Sequence, residues 1–176
     1  MTEHSWRVQP LAAEYVHSLA ECHIACWREA YRGLVPAHVL DAFDIKRRAE
    51  QWERDRVRYP GRTHVAVIGD AVIGFSSAGP PGNADAVTPL ELHALYVRSR
   101  WHGSGVADDL IRAALDPAAP CSLWVFEQNA RAQAFYRKHG FVLDGTRKVE
   151  SFTAAFEVRM VRTPTMHADL ALNDTH

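Results

Sequence analysis

The sequence is short of cysteine, of net charge and of long apolar runs, and each shortage removes a class of explanation. Three cysteines, Cys22, Cys26 and Cys121, occur in 176 residues, too few for a disulfide framework. Lysine and arginine total 20 against 21 aspartates and glutamates, a formal net charge of -1. No global field therefore recruits nucleic acid or anionic lipid, and neither is expected as a partner. Arginines crowd residues 54 to 62 (RDRVRYPGR), but Asp55 interrupts them and the stretch reads as a solvated helix end. No apolar run approaches the roughly 20 residues of a membrane-crossing helix. The first residues, MTEHSWRVQP, lack the basic-then-apolar pattern of a secretory leader. A reduced, cytoplasmic protein is the expectation. Cys22 and Cys26 flank His23 at helical spacing, yet no second pair has ligand spacing. Small buried side chains, and no metal site, are expected there.

What is present is ordinary for a globular chain: 47% apolar and 23% charged residues. The length suits one domain with a sizeable core, placed at residues 1–162, and the weakly patterned 163–176 reads as a mobile tail. WRVQP (6–10) suits a short strand closed by Pro10. Apolar positions then recur at Val16, Leu19, Ala20, His23, Ile24, Trp27 and Tyr31, which is helical spacing. Gly33 and Pro36 break it, and a second helical region carries Leu40, Phe43, Ile45, Ala49 and Trp52 before Pro60. THVAVIGDAVIGFSSAG reads as two strands about a Gly69-Asp70 turn. After a loop at 80–89, LELHALYV is a fourth strand, followed by a helix with Val106, Leu110, Ile111, Ala114 and Leu115 on one face. CSLWVF is a buried strand, Asn129 opens a short helix stopped by Gly140, and FVLDGTRK and AAFEVRMVR are two final strands. The order β-α-α-β-β-β-α-β-α-β-β implies a mixed α/β sheet, an antiparallel meander with one helical crossover. Such a crossover leaves a ligand-binding cleft at the strands' carboxyl ends.

The turn at that cleft is VRSRWHGSGVADDL, in which Arg100, Gly103 and Gly105 spell R-x-x-G-x-G. A helix N-terminus offers unpaired amides and a positive dipole end, and glycine lets an anion approach them. A plain turn is the competing account. A Walker loop fails because no Lys-Ser/Thr follows Gly105. A dinucleotide turn gains from Glu127, at the end of the next strand where a ribose would be held. It loses because Asp108 occupies the third glycine place and the unit is fourth in strand order rather than first.

LYVRSRWHGSGVADDLI, followed by LWVFEQNARAQAFYRKHGFVLDG, resembles the core of the GNAT superfamily of acyl-CoA-dependent N-acetyltransferases. ACWREAYRGLVPAHVLD resembles the first two helices of many small members, so the likeness spans about residues 6 to 162. The resemblance implies that Gly103, Ser104, Gly105, Val106 and Ala107, with His102 at the edge, hold the pyrophosphate of acetyl-CoA through their amides. It implies that the acyl-pantetheine arm lies along Leu95, Tyr96 and Val97, that the Leu95 N–H polarises the thioester carbonyl, and that Asn129 contacts the pantetheine. Asn129 is also a preferred N-cap and needs no ligand to explain it. Tyr136, otherwise a core aromatic beside Phe135 and Phe141, would protonate the leaving thiolate. Glu91 is the implied base, usually through water. His93, two residues on and so on the same face, competes for that role. Tyr31 and Arg32, at the turn after the first helix, would shape the acceptor site with the 80–89 loop and the last strands. The implied activity is transfer of acetyl to a primary amine of a small molecule or peptide by direct attack, without metal. A homodimer is compatible with it. A non-catalytic acyl-CoA-binding module and a dinucleotide-binding oxidoreductase stay open as alternatives.

Overall fold

The computed structural model describes residues 5–151 and 153–164; the proposed tail at 163–176 lies outside them beyond Pro164. A seven-stranded sheet runs in the order β1-β2-β3-β4-β5-β7-β6. Its strands are β1 (Arg7–Pro10), β2 (Thr63–Ile68), β3 (Ala71–Gly79), β4 (Leu90–Val97), β5 (Cys121–Phe126), β6 (Val142–Val149) and β7 (Phe156–Arg162). Every neighbouring pair is antiparallel except β4 with β5. That pair is joined through α4 (Val106–Ala114), the crossover that parallel strands require.

Helices α1 (Val16–Tyr31) and α3 (Ile45–Arg58) cover one face, where Leu19, Trp52 and Phe75 join a buried cluster. On the other face, α4 and α5 (Ala130–Lys138) pack through Ile111, Leu115 and Tyr136 onto Leu123, Phe141 and Met160. Cys22 and Cys26 are buried in α1 with their sulfurs 3.9 Å apart. The second helical region expected around Leu40 to Trp52 is two helices, α2 (Ala37–Asp41) and α3. Asp44 divides them: its backbone is extended, and its carboxylate caps α3 by accepting from the Arg47 N–H at 2.7 Å.

Candidate active site

Strands β4 and β5 pair only from Leu90, Glu91 and Leu92 to Cys121, Ser122 and Leu123. Beyond Leu92 they separate, and a cleft of about 860 Å³ opens between their carboxyl ends. Along that stretch β4 still pairs with β3, matching Leu95 to Ser76, Tyr96 to Phe75 and Val97 to Gly74. The Arg98 N–H donates to the Ile73 carbonyl at 2.9 Å, which fixes the alternation of the ladder. Tyr96 therefore uses its backbone bonds on Phe75, while the amides of Leu95 and Val97 face the open side. His102 agrees with this: its Nε2 donates to the Val97 carbonyl from the cleft at 2.9 Å.

The β3–β4 register shifts between Ser77 and Ala78, so Ser77 faces Ala94, Ala78 faces Leu92, and His93 is the extra residue of a bulge. Leu92 and Leu95, three apart, consequently both pack on the α4–α5 side, and Ala94 and Tyr96 pack towards α1. The opening thus has two walls of different character. Glu91 and His93 both line it, and despite the bulge His93 Nε2 lies 4.0 Å from Glu91 Oε1. His93 Nε2 also donates to the Pro80 carbonyl at 3.1 Å, leaving Nδ1 as the basic nitrogen of the neutral ring.

The glycine turn forms one end. Gly103 and Gly105 have φ of 76° and 100°, a region that suits glycine, and Gly105 is the N-cap of α4. His102, Gly103, Gly105 and Ala107 line the cleft. Ser104 donates both its hydroxyl, at 2.6 Å, and its N–H, at 3.3 Å, to the Trp101 carbonyl, and the fully buried Val106 donates its N–H to Ser104 Oγ at 3.4 Å, so the turn itself engages both residues. A carboxylate, Asp108, also stands here. Lys138 Nζ donates to it at 2.7 Å and His139 Nε2 at 2.8 Å. Lys138 above all, with His139, holds its carboxyl below the usual range against the opposing effect of burial. The charge is thereby balanced, and the α4 amides with Arg131 nearby suit a pyrophosphate.

In the middle, Tyr136 lines the cleft from α5 at 8% exposure, and burial pushes its hydroxyl pKa well up, so it stays protonated. Asn129 caps α5 by accepting from the Ala132 N–H at 3.1 Å, leaving its amide nitrogen for a ligand in the cleft it also lines.

The far end is aromatic and acidic. The Tyr31 and Tyr96 hydroxyls are 2.8 Å apart, and burial raises the pKa of both. Trp27 lines the same wall, with its Nε1 buried and without a hydrogen-bond partner among the described residues. Arg32 is exposed and outside the lining, and no residue of the 80–89 loop lines the cleft either. Arg159 holds that loop behind the site: it donates to the Asp85 carbonyl at 3.0 Å and to Asp144 at 2.6 Å.

Trp124, Lys148, Glu150 and Glu157 line this side of the cleft and were not singled out from the sequence. Lys148 Nζ lies 4.0 Å from the Trp124 ring centre and 3.6 Å from Glu157 Oε2. Burial raises the Glu157 carboxyl pKa, with Lys148 opposing. The sequence offered little signal: Glu157 shares AAFEVRMVR with Arg159 and Arg162, and Lys148 lies between Arg147 and Val149.

Residues 17–141 match the model of the Acetyltransferase (GNAT) family. A Mycobacterium tuberculosis protein named as a probable N-acetyltransferase is 29% identical over 72% of this chain and 74% of its own. An uncharacterized N-acetyltransferase of Bacillus subtilis is 24% identical over 69% and 72%. Among solved structures, the PaiA N-acetyltransferase of Thermoplasma acidophilum in complex with coenzyme A superposes with a TM-score of 0.64. It is 19% identical and covers 88% of this chain and 98% of that one. Naa20 of Chaetomium thermophilum in complex with a bisubstrate analogue gives 0.62 at 17% identity, covering 90% and 86%.

Proposed function

The chain belongs to the GNAT family of acetyltransferases, which draw acetyl from acetyl-CoA, and on that premise we propose a division of labour within its cleft. Within the 102–107 turn, where the amides of His102, Ser104 and Val106 are engaged locally, those of Gly103, Gly105 and Ala107 hold the pyrophosphate, and the open edge of β4 receives the pantetheine arm, helped by Asn129. The observation that carries this reading is the unpaired edge itself. The Leu95 N–H faces the opening between a glycine turn on one side and Tyr136 on the other. A fixed donor at that place would stabilise the charge that develops on the thioester oxygen.

The acceptor is a primary amine of a small molecule or a peptide, which enters past Tyr31 and Trp27. Glu91, Glu150 and Glu157 outnumber the one lysine on that side, so the wall attracts an ammonium. The amine must lose a proton before it attacks. Glu91 lies four residues below Leu95 along β4, on the order of 13 Å by strand rise, so it takes the proton through water. The amine nitrogen then bonds to the acyl carbon, the carbon–sulfur bond breaks, and Tyr136 protonates the departing thiolate.

Calorimetry with acetyl-CoA, followed by a thiol-release screen over amines, amino acids, polyamines and peptides, tests the reading. Saturable binding and turnover with one acceptor class are expected. Binding without turnover across the screen would convert the protein into an acyl-CoA-binding module. Binding of NADH in place of acetyl-CoA would remove the coenzyme assignment.

A further inference from the structure

The chain contains 17 arginines but only three lysines, Lys46, Lys138 and Lys148. They occupy three different settings. Lys46 is on α3, away from the cleft. Lys138 lines the glycine-turn end, where Asp108 binds it at 2.7 Å. Lys148 lines the acceptor end, with its ammonium against the face of Trp124 and beside Glu157. Trp124 is the first residue of β5 beyond the last β4–β5 pair. The Lys148 amine therefore sits at the mouth of the opening, on the side from which an acceptor would enter. An aromatic face and a carboxylate together form an ammonium subsite, and the protein's own primary amine occupies it.

We propose that the enzyme acetylates its own Lys148, an intramolecular turnover that rests on the acetyl-transfer reading above. The side chain is free enough to reach: it is 44% exposed, and its ion pair with Glu157 at 3.6 Å is loose. Glu157 accepts a proton from the Lys148 ammonium, and the freed lone pair attacks the thioester carbonyl carbon. The new carbon–nitrogen bond forms as the carbon–sulfur bond breaks. Tyr136 gives its proton to the thiolate and recovers one from solvent. The balance is one acetyl-CoA and one lysine ammonium giving acetyl-lysine, free coenzyme A and one proton, with no oxidant or reductant. Burial of Glu157 favours its protonated form, which suits a proton acceptor. Acetylation removes the Lys148 charge and leaves the Trp124 face and Glu157 to an incoming cationic acceptor.

The test is incubation of the full chain with acetyl-CoA and no added amine, with peptide mapping by mass spectrometry over time. The other two lysines serve as internal references. Lys148 is expected to label at least about tenfold faster than Lys46 or Lys138, since a positioned amine gains far more than that over a random one. The rate per molecule should hold on tenfold dilution of the protein. Tyr136→Phe and Glu157→Gln should each slow labelling of Lys148 by about tenfold or more, with Lys46 unaffected, and Lys148→Arg should abolish it. Labelling of Lys148 no faster than Lys46, or a rate per molecule that falls in proportion on dilution, would overturn the proposal. Calorimetry and the amine screen on the same sample separate the two levels. Acetyl-CoA binding and turnover with Lys148 unlabelled sink self-acetylation alone, and loss of acetyl-CoA binding removes the acetyl-transfer reading with it.

Discussion

Tyr136 carries its proposed role in one atom, its phenolic proton. Its ring is held by Phe135 and Phe141, with centroids at 5.5 and 6.0 Å, contacts that a phenylalanine would reproduce. Burial keeps the hydroxyl protonated throughout the working range of such an enzyme. Tyr136→Phe should therefore lower kcat in a thiol-release assay by about 10²- to 10⁴-fold, while acetyl-CoA affinity and thermal midpoint change little. An unchanged kcat would return Tyr136 to the core. Side chains such as this one were legible because the residues around it form a local pattern, NARAQAFYRKHGF, in consecutive sequence. Lys148, Glu157 and Trp124 were not legible, because their meeting depends on register between distant strands. Glu157 faces Phe126 and Lys148 faces Glu157 only once β5, β6 and β7 are aligned.

At the scale of the element, β4 frames the proposed site, and its sequence discloses only half of its geometry. LELHALYV announces a strand by composition. Nothing in it announces the bulge at His93 or the parting from β5 after Leu92, because both arise from how three strands fit together. The Asp44 cap was visible in principle, as an aspartate directly before a helical run. Apolar spacing across it read as one helix instead. The parting of β4 and β5 makes a specific test possible. Proline lacks an N–H, and it is tolerated in a strand where that N–H faces away from a partner. Leu95→Pro should thus preserve the β3–β4 bonds and delete, of the two strand amides that face the opening, the one assigned to the thioester oxygen. We expect kcat/KM to fall by about 10²- to 10³-fold, with cooperative melting retained and the pyrophosphate end still binding coenzyme A. A folded Leu95→Pro protein of normal activity would rule out the Leu95 amide as the donor.

For the whole molecule, the order of elements followed from the sequence because each is local, and the crossover between β4 and β5 followed from handedness and length rules. The joining of the two layers depends on long-range packing, and His23 lies at that junction. On α1, it accepts a hydrogen bond at Nδ1 from Trp52 Nε1 of α3 at 3.1 Å, and its ring lies 5.0 Å from Phe75 of β3 and 5.9 Å from Tyr96 of β4. Burial first, and the nearby Arg48 second, lower its pKa from 6.5 to about 3. The unfolded chain therefore binds a proton that the folded one refuses, and stability falls as pH drops below 6.5 towards 3. By pH 5 the loss is about 2 kcal/mol, from roughly 1.4 kcal/mol for each pH unit below the unfolded pKa. Protonation at Nδ1 would also break the bond from Trp52, so the acid transition should separate α3 from α1 and the sheet together. Urea unfolding midpoints of the wild type at pH 7.5 and pH 5 should differ accordingly. In His23→Phe, the part of the slope due to this ring should vanish whatever the variant's absolute stability. A pH slope identical in both proteins would show that His23 is not the acid-sensitive group.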